Sequence, residues 1–259
     1  MTNSPSPSPT QPVALSLIAP AHNEQDNIEG LVSDVREALT DSGIAFEFIV
    51  VDDGSTDATA QRLREQMADH PWLVVHQMCD TPPGKGNGQS AAFYAGIRLA
   101  RGEMIALLDA DRQNDPADLP AMHKLMCAES ADLVQGDRSA NRRDTVVRRF
   151  SSWVGRTFRR VLLGDTVRDT GCSLRIIRKS YALRLPLQYK GMHRFIPYYT
   201  GVLGGKVVET PVNHRPRTAG EAKYGVWNRA LPGLIDLIAA RWMRSRLRPT
   251  EARALDRES

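Results

Sequence analysis

Between residues 13 and 136 short apolar runs alternate with stretches of helical period. The runs cover residues 13–19, 46–52, 73–76, 104–109 and 132–136, and the stretches between them cover 27–42, 57–69, 89–100 and 117–128. Runs this short, rich in Val and Ile and nearly free of polar alternation, are strands covered on both faces. Their alternation with helices predicts a mostly parallel sheet flanked by helices, an α/β architecture. In the first helical stretch Ile28, Leu31, Val32, Val35 and Leu39 share one face, and Asp26 or Asn27 stands at the N-cap.

The second half is less regular. A basic amphipathic helix is predicted over 146–163, a short strand over 174–177, an apolar helix over 192–204 and a strand over 207–212, followed by a loop over 215–225. A last amphipathic helix over 227–246 places Leu231, Leu234, Ile235, Ile238 and Trp242 on one side, with Arg229, Arg241, Arg244 and Arg246 around the rim. Residues 1–12 are Ser/Pro-rich and read as a disordered tail, 13–226 as the α/β domain, 227–246 as a separate amphipathic helix and 247–259 as a frayed end.

The charge is divided along the chain. Up to Asp137 there are 8 basic and 21 acidic residues; from Arg138 onward there are 26 basic and 9 acidic. Such polarisation points to cations held by one half and anions by the other. No apolar stretch is long enough to span a bilayer and no secretory leader is visible, so a cytoplasmic location is expected. Cys79, Cys127 and Cys172 form no metal-ligand pattern and read as reduced, mostly structural thiols.

In an open parallel sheet, ligands bind at the carboxyl ends of the strands. Four predicted strands end in polar groups: Pro20–Glu24, Asp52–Asp57, Asp109–Gln113 and Gly136–Arg138. Asp109 and Asp111, two residues apart at a strand end, can approach one hard cation, with Gln113 adding a neutral oxygen. That donor set suits Mg²⁺ or Mn²⁺ carrying a diphosphate. Asp53 can accept hydrogen bonds from a nucleoside, and Asp57 can cap the helix after it. Gly84-Lys85-Gly86-Asn87-Gly88 lacks the spacing of a phosphate loop and reads as a flexible loop.

Taken in order, these segments are Pro-x-x-Asn-Glu, Val-Val-Asp-Asp-Gly-Ser-x-Asp, Leu-Asp-Ala-Asp-x-Gln, Gly-Asp-Arg, Arg-Asp-Thr-Gly-Cys and the late His214-Arg215-Pro216-Arg217-Thr218-Ala219-Gly220-Glu221-Ala222-Lys223-Tyr224. The order resembles the family 2 glycosyltransferases of the GT-A fold, over about residues 13–230. Within them it resembles the dolichol-phosphate mannosyltransferase and bacterial polyprenyl-phosphate glycosyltransferase branch.

The resemblance implies a Rossmann-like GT-A domain and an inverting, metal-dependent hexosyl transfer from a nucleotide sugar, GDP-mannose or a UDP-hexose, to a polyprenyl phosphate. A soluble or saccharide acceptor, or a non-catalytic nucleotide-sugar binding role, stand as alternatives. It assigns the nucleoside to Pro20, His22, Glu24, Val51 and Asp53. It assigns the metal and diphosphate to Asp109, Asp111 and Gln113, with Ala110 between them, and donor contacts to Arg138, Arg217 and Lys223. Asp111 is implied as catalytic. Asp169 matches the position sometimes proposed as base; its alternative is a loop-organising carboxylate paired with Arg168. His22 replaces the usual Tyr and Ala222 the usual Ser. Relatives in this branch often continue into membrane helices. The arginines at 142, 143, 148, 149, 156, 159 and 160 read as a solvated helix face or as a surface for an anionic leaflet, and the last helix as a domain-core or a membrane-interface helix; the membrane alternatives describe a peripheral enzyme at the inner face of the membrane, held by anionic lipid or a small membrane subunit. Nucleic acid is disfavoured, because no nucleic-acid fold motif accompanies the basic half and the other half is strongly acidic.

Overall fold

The computed structural model describes residues 12–82, 84–139, 146–216 and 227–248, and for 146–154 and 227–232 the helical backbone alone. The tail over 1–11, Arg142 and Arg143, Arg217, Ala222 and Lys223, and residues 249–259 lie outside the described residues, as do the side chains of Arg148 and Arg149.

Seven strands form one sheet: β1 (Leu15–Ala21), β2 (Phe46–Asp52), β3 (Leu73–Gln77), β4 (Met104–Leu107), β5 (Leu133–Asp137), β6 (Arg175–Arg178) and β7 (Val207–Pro211). Their order is β3-β2-β1-β4-β6-β5-β7. β1, β2, β3 and β4 run parallel, β5 pairs parallel with β7, and β6 is antiparallel to both β4 and β5. Only β6 is reversed, so six strands end at one edge and β6 begins there. That reversal delivers residues 165–174 to the same edge as Asp53, Asp109 and Arg138.

Both faces of the sheet are covered, as the apolar runs predict. Leu17, Ala19, Phe48 and Val50 face α1 (Ile28–Leu39) and α4 (Leu119–Ala128), while Ile18, Ile49 and Val51 face α3 (Gln89–Leu99) and α7 (Ile196–Val202). The predicted face of α1 is buried in full. Asn27 is its N-cap residue, but its amide donates to Glu24 Oε2 at 2.7 Å and no side-chain cap bond forms. The N-cap position of α2 (Thr59–Asp69) is Ala58, which makes no side-chain cap bond; Asp57, one residue earlier, takes the first helical N–H, its Oδ1 accepting from Thr59 N at 2.9 Å.

Proline accounts for two boundaries that differ from expectation. Pro116 and Pro120 replace a continuous helix from 117 by a 3-10 turn, Pro116–Asp118, before α4. Pro197 in the first turn of α7 likewise leaves Met192–Phe195 as a 3-10 turn. β4 stops at Leu107, so Asp109 stands in the loop beyond the strand. Two basic helices match their expected bounds: α5 (Val146–Leu163) and, after the short α6 (Lys179–Ala182), α8 (Trp227–Arg246). α8 buries Leu237 and Ala240 and leaves Leu234, Ile235, Ile238 and Trp242 exposed.

Gly96 sets the distance between α3 and β1: a Cβ there would lie 2.5 Å from Ile18 Cγ2. Gly96→Ala should therefore destabilise the protein by about 1–3 kcal/mol despite the better helix propensity of alanine, read as a lower urea midpoint with unchanged slope.

Candidate active site

The ends of β1 and β2 form one side of the site. Pro20 and Val51 are paired neighbours in the sheet, and Asp53 N donates to Ala21 O at 2.8 Å. His22 Nδ1 lies 2.7 Å from Asp53 O, so that nitrogen carries the hydrogen. Asn23, at φ +56°, accepts from Thr56 N at 2.8 Å and donates its own N–H to Ser55 Oγ at 3.0 Å. Glu24 N donates to Thr59 Oγ1 at 2.9 Å. Pro20, His22, Val51 and Asp53 thus share one strand end, with Glu24 beside them.

The Asp53 carboxylate is buried and accepts from Asn87 N at 2.8 Å, Gly88 N at 2.6 Å and Thr81 Oγ1 at 3.3 Å. The glycine-rich segment read as a flexible loop is instead wrapped on this carboxylate. Gly86, at φ +58°, is needed there because a Cβ would meet Asp53 Oδ2 at 2.8 Å. Folding the segment back on Asp53 also sets the start of α3, whose first residue is Gln89.

Asp109 and Asp111 form the second side. Asp109 Oδ1 accepts from Gln89 Nε2 and Oδ2 from Ser173 Oγ, the latter at 2.5 Å; Ser173 Oγ in turn accepts from buried Asn114 Nδ2 at 2.7 Å. Burial, and then the Asp111 charge, push Asp109 above the ordinary carboxylate range. Asp111 Oδ1 accepts from Gln113 N at 3.2 Å, and Ala110 between the two acids is buried. Among the described residues no group of three or more His, Cys, Asp or Glu could hold a metal. The candidate donor set is two carboxylates and the Gln113 amide within one turn. It suits a hard divalent cation, which would offset the Asp111 charge, the lesser of the two causes that raise Asp109.

The third side carries fixed positive charge. Arg138 and Asp169 form a buried bidentate pair, Nε to Oδ2 at 2.8 Å and Nη2 to Oδ1 at 3.1 Å. The loop-organising partner of Asp169 is therefore Arg138 and not Arg168, which is exposed and whose N–H donates to Glu209. Arg175 is buried with three carbonyl partners, Ser173 O, His193 O and Cys172 O, and burial pulls it down to about 10, so it stays charged at neutral pH. His193 Nδ1 lies 2.8 Å from Ser90 Oγ, and burial followed by the charges of Arg194 and Arg175 holds the imidazole down at about 3. Of the cysteines only Cys172 is buried, its thiol pushed up to about 11; Cys79 and Cys127 are exposed, so the structural reading holds for Cys172 alone. Gln89, Ser90, Asn114, Ser173, Arg175 and His193 were missed in the sequence. The one local signal was Arg175, a charge inside the apolar run 174–177.

Residues 16–185 match the family described as glycosyl transferase family 2. The chain is 35% identical to the dodecaprenyl-phosphate galacturonate synthase of Rhizobium johnstonii, over 93% of this chain and 70% of that protein. It is 31% identical to the undecaprenyl-phosphate 4-deoxy-4-formamido-L-arabinose transferase of Edwardsiella ictaluri, over 82% of this chain but only 63% of that protein. Its fold is similar to a Pyrobaculum calidifontis mannosyltransferase solved with GDP-Man and Mn²⁺, at TM-score 0.63 and 20% identity over 92% of this chain and 66% of that one. It is also similar to glucosyl-3-phosphoglycerate synthase of Mycobacterium tuberculosis solved with UDP, at TM-score 0.66 and 18% identity over 92% of this chain and 82% of that one.

Removing one partner of the buried Arg138–Asp169 pair leaves a charge without its counterion. Asp169→Ala should cost about 3–5 kcal/mol of unfolding free energy, while Arg138→Met combined with Asp169→Leu should cost markedly less, both read by urea denaturation. Equal losses would show that Asp169 is not held for charge balance.

Proposed function

The chain belongs to glycosyl transferase family 2 and is a glycosyltransferase of the GT-A fold, and from that premise we propose that it moves a hexose from a nucleoside diphosphate sugar, GDP-mannose or a UDP-hexose, to a polyprenyl phosphate with inversion. The observation that carries this is the convergence, at one sheet edge, of a carboxylate pocket at Asp53, an acidic turn at Asp109 and Asp111, and buried cationic groups at Arg138 and Arg175. Relatives named for two polyprenyl-phosphate transferases support the acceptor.

In this reading Pro20, His22, Glu24, Val51 and Asp53 receive the nucleoside. Asp109, Asp111 and Gln113 would hold Mg²⁺ or Mn²⁺, which when bound would neutralise charge on the diphosphate. A lipid phosphate oxygen forms a bond to the anomeric carbon as the bond from that carbon to the diphosphate oxygen breaks, and the electron pair leaves with the nucleoside diphosphate. Arg138, Arg217, Lys223 and the buried charge of Arg175 favour that developing anion. A phosphate monoester is already anionic near neutral pH, so the step requires no strong base. Asp169 then serves by fixing Arg138 against the donor. Asp111→Ala should fold and lose about a hundred- to a thousandfold in metal-dependent nucleoside diphosphate release, a scale set by other groups that stabilise developing negative charge. Turnover that needs no polyprenyl phosphate, or that survives EDTA, would refute the assignment.

The acceptor also requires access to a lipid surface. Among the described residues no helix is long and apolar enough to cross a membrane. α5 and α8 instead expose Phe158, Val161, Ile235, Ile238 and Trp242, with Val161 75% and Trp242 61% accessible. Arg156, Arg160, Arg241, Arg246 and Arg248 are exposed on the same two helices and just beyond them, whereas Arg159 is turned inward to Asp165. Apolar side chains rimmed by arginine fit the headgroup region of an anionic leaflet. We place this face on the cytoplasmic leaflet. The full chain should sediment with phosphatidylglycerol vesicles and not with phosphatidylcholine vesicles, and Ile238→Asp with Trp242→Ala should abolish the binding. Failure to bind anionic vesicles would remove lipid as the partner and leave a membrane protein subunit.

A further inference from the structure

Arg112, between Asp111 and Gln113, has φ +61°, the left-handed region that costs a side-chain-bearing residue on the order of 1 kcal/mol. Its side chain does not enter the site. It lies back across α1, where Nε and Nη2 donate to Asp34 Oδ2 and Oδ1 at 2.8 and 3.1 Å. α1 makes room for it at Gly30, where a Cβ would lie 2.1 Å from Arg112 Nη1. The same carboxylate takes a second arginine, Arg215 Nη1 at 3.1 Å. Arg215 also grips Asp115 Oδ1 at 2.7 Å, and its backbone N–H donates to Gln113 O at 2.9 Å.

We propose that Asp34, on a helix outside the reacting groups, is a positioning residue for the transfer. By holding Arg112 and Arg215 it fixes the Asp111–Arg112–Gln113 turn in the left-handed shape that lets Asp111 and Gln113 serve one cation. The inference rests on the cation-assisted reading above and adds the residue that shapes the turn. The turn has its strained residue at the centre, and that residue makes a bidentate ion pair to a largely buried carboxylate, with side chains 26% and 12% accessible. Arg215 ties the far side of the turn to the segment that leads to Arg217 and Lys223 two and eight residues later.

The test is Mn²⁺ affinity of the full chain, measured by electron paramagnetic resonance with UDP or GDP present and well below the unfolding temperature. Asp34→Ala should weaken Mn²⁺ binding by about tenfold or more, the range for groups that orient metal ligands from outside. Asp34→Glu should recover most of that loss. If the alanine variant does not fold, Asp34→Asn, which keeps the shape and loses the charge, should show a smaller loss in the same direction. In an Arg112→Gly background, where glycine takes the positive φ without a tether, Asp34→Ala should cost clearly less than in the wild type. Unchanged Mn²⁺ affinity in a folded Asp34 variant, or an equal loss in the glycine background, overturns the proposal alone. A wild type that takes up no Mn²⁺ with either nucleotide overturns it together with the cation reading.

Discussion

Carboxylates crowd the carboxyl edge of this sheet, and each must meet a donor or a cation before its strand can end there. An unpaired carboxylate in such a place would cost several kcal/mol or take up a proton. The surrounding loops are shaped by that requirement. Asp52 takes Ser55 N at 3.0 Å, Asp53 takes the backbone of residues 87 and 88, and Asp137 takes Ser139 N at 2.8 Å. Asp169 takes Arg138, and Asp109 takes Gln89 and Ser173. Asp109 is pushed upward, by burial first and then by the second acid of its own turn. At Asp109 and Asp111 two acids of one turn oppose each other, and there a cation would bind favourably.

The positive side of the site is arranged differently. Arg138 has a carboxylate partner, whereas among the described residues Arg175 donates to carbonyl oxygens. Carbonyls satisfy its donors without cancelling its charge, so Arg175 contributes a persistent positive field at Asp109. His193, whose carbonyl Arg175 holds, stays neutral and adds none. In the proposed reading the Arg175 charge would already be in place for an incoming diphosphate.

The parts legible in the sequence are those governed by local period. Strands covered on both faces leave apolar runs, and α1, α5 and α8 leave amphipathic faces whose bounds the sequence marks well. The antiparallel insertion of β6 was not legible, because four residues between a loop and a short helix carry no sign of direction. The site's supporting contacts were hidden for a related reason. Ser173 meets Asp109 across 64 positions, Asn87 meets Asp53 across 34, and Arg138 meets Asp169 across 31. Arg168, adjacent to Asp169, was the natural guess from sequence and the wrong one, since only the reversal of β6 brings the loop before it against the end of β5. The strand-end acids themselves were visible because their spacing is local.

The same long-range contacts bear on how a lipid-facing helix could serve a sheet-edge reaction. α8 is not loosely attached. Asp236 pairs with Arg194 at 3.3 Å, Ala240 O accepts from Tyr199 at 3.2 Å, and Arg244 donates to Leu163 O at 3.0 Å. Arg194 follows His193, which is bonded to Ser90; Ser90 follows Gln89, which is bonded to Asp109. Two residues on one 3-10 turn and two at the start of α3 thus connect the helix with the exposed apolar face to the acidic turn. Each link is made by side chains: Arg194 to Asp236, Ser90 to His193 and Gln89 to Asp109. In the proposed reading, a surface that seats the outer face of α8 would be joined to the Asp109 turn through these four residues.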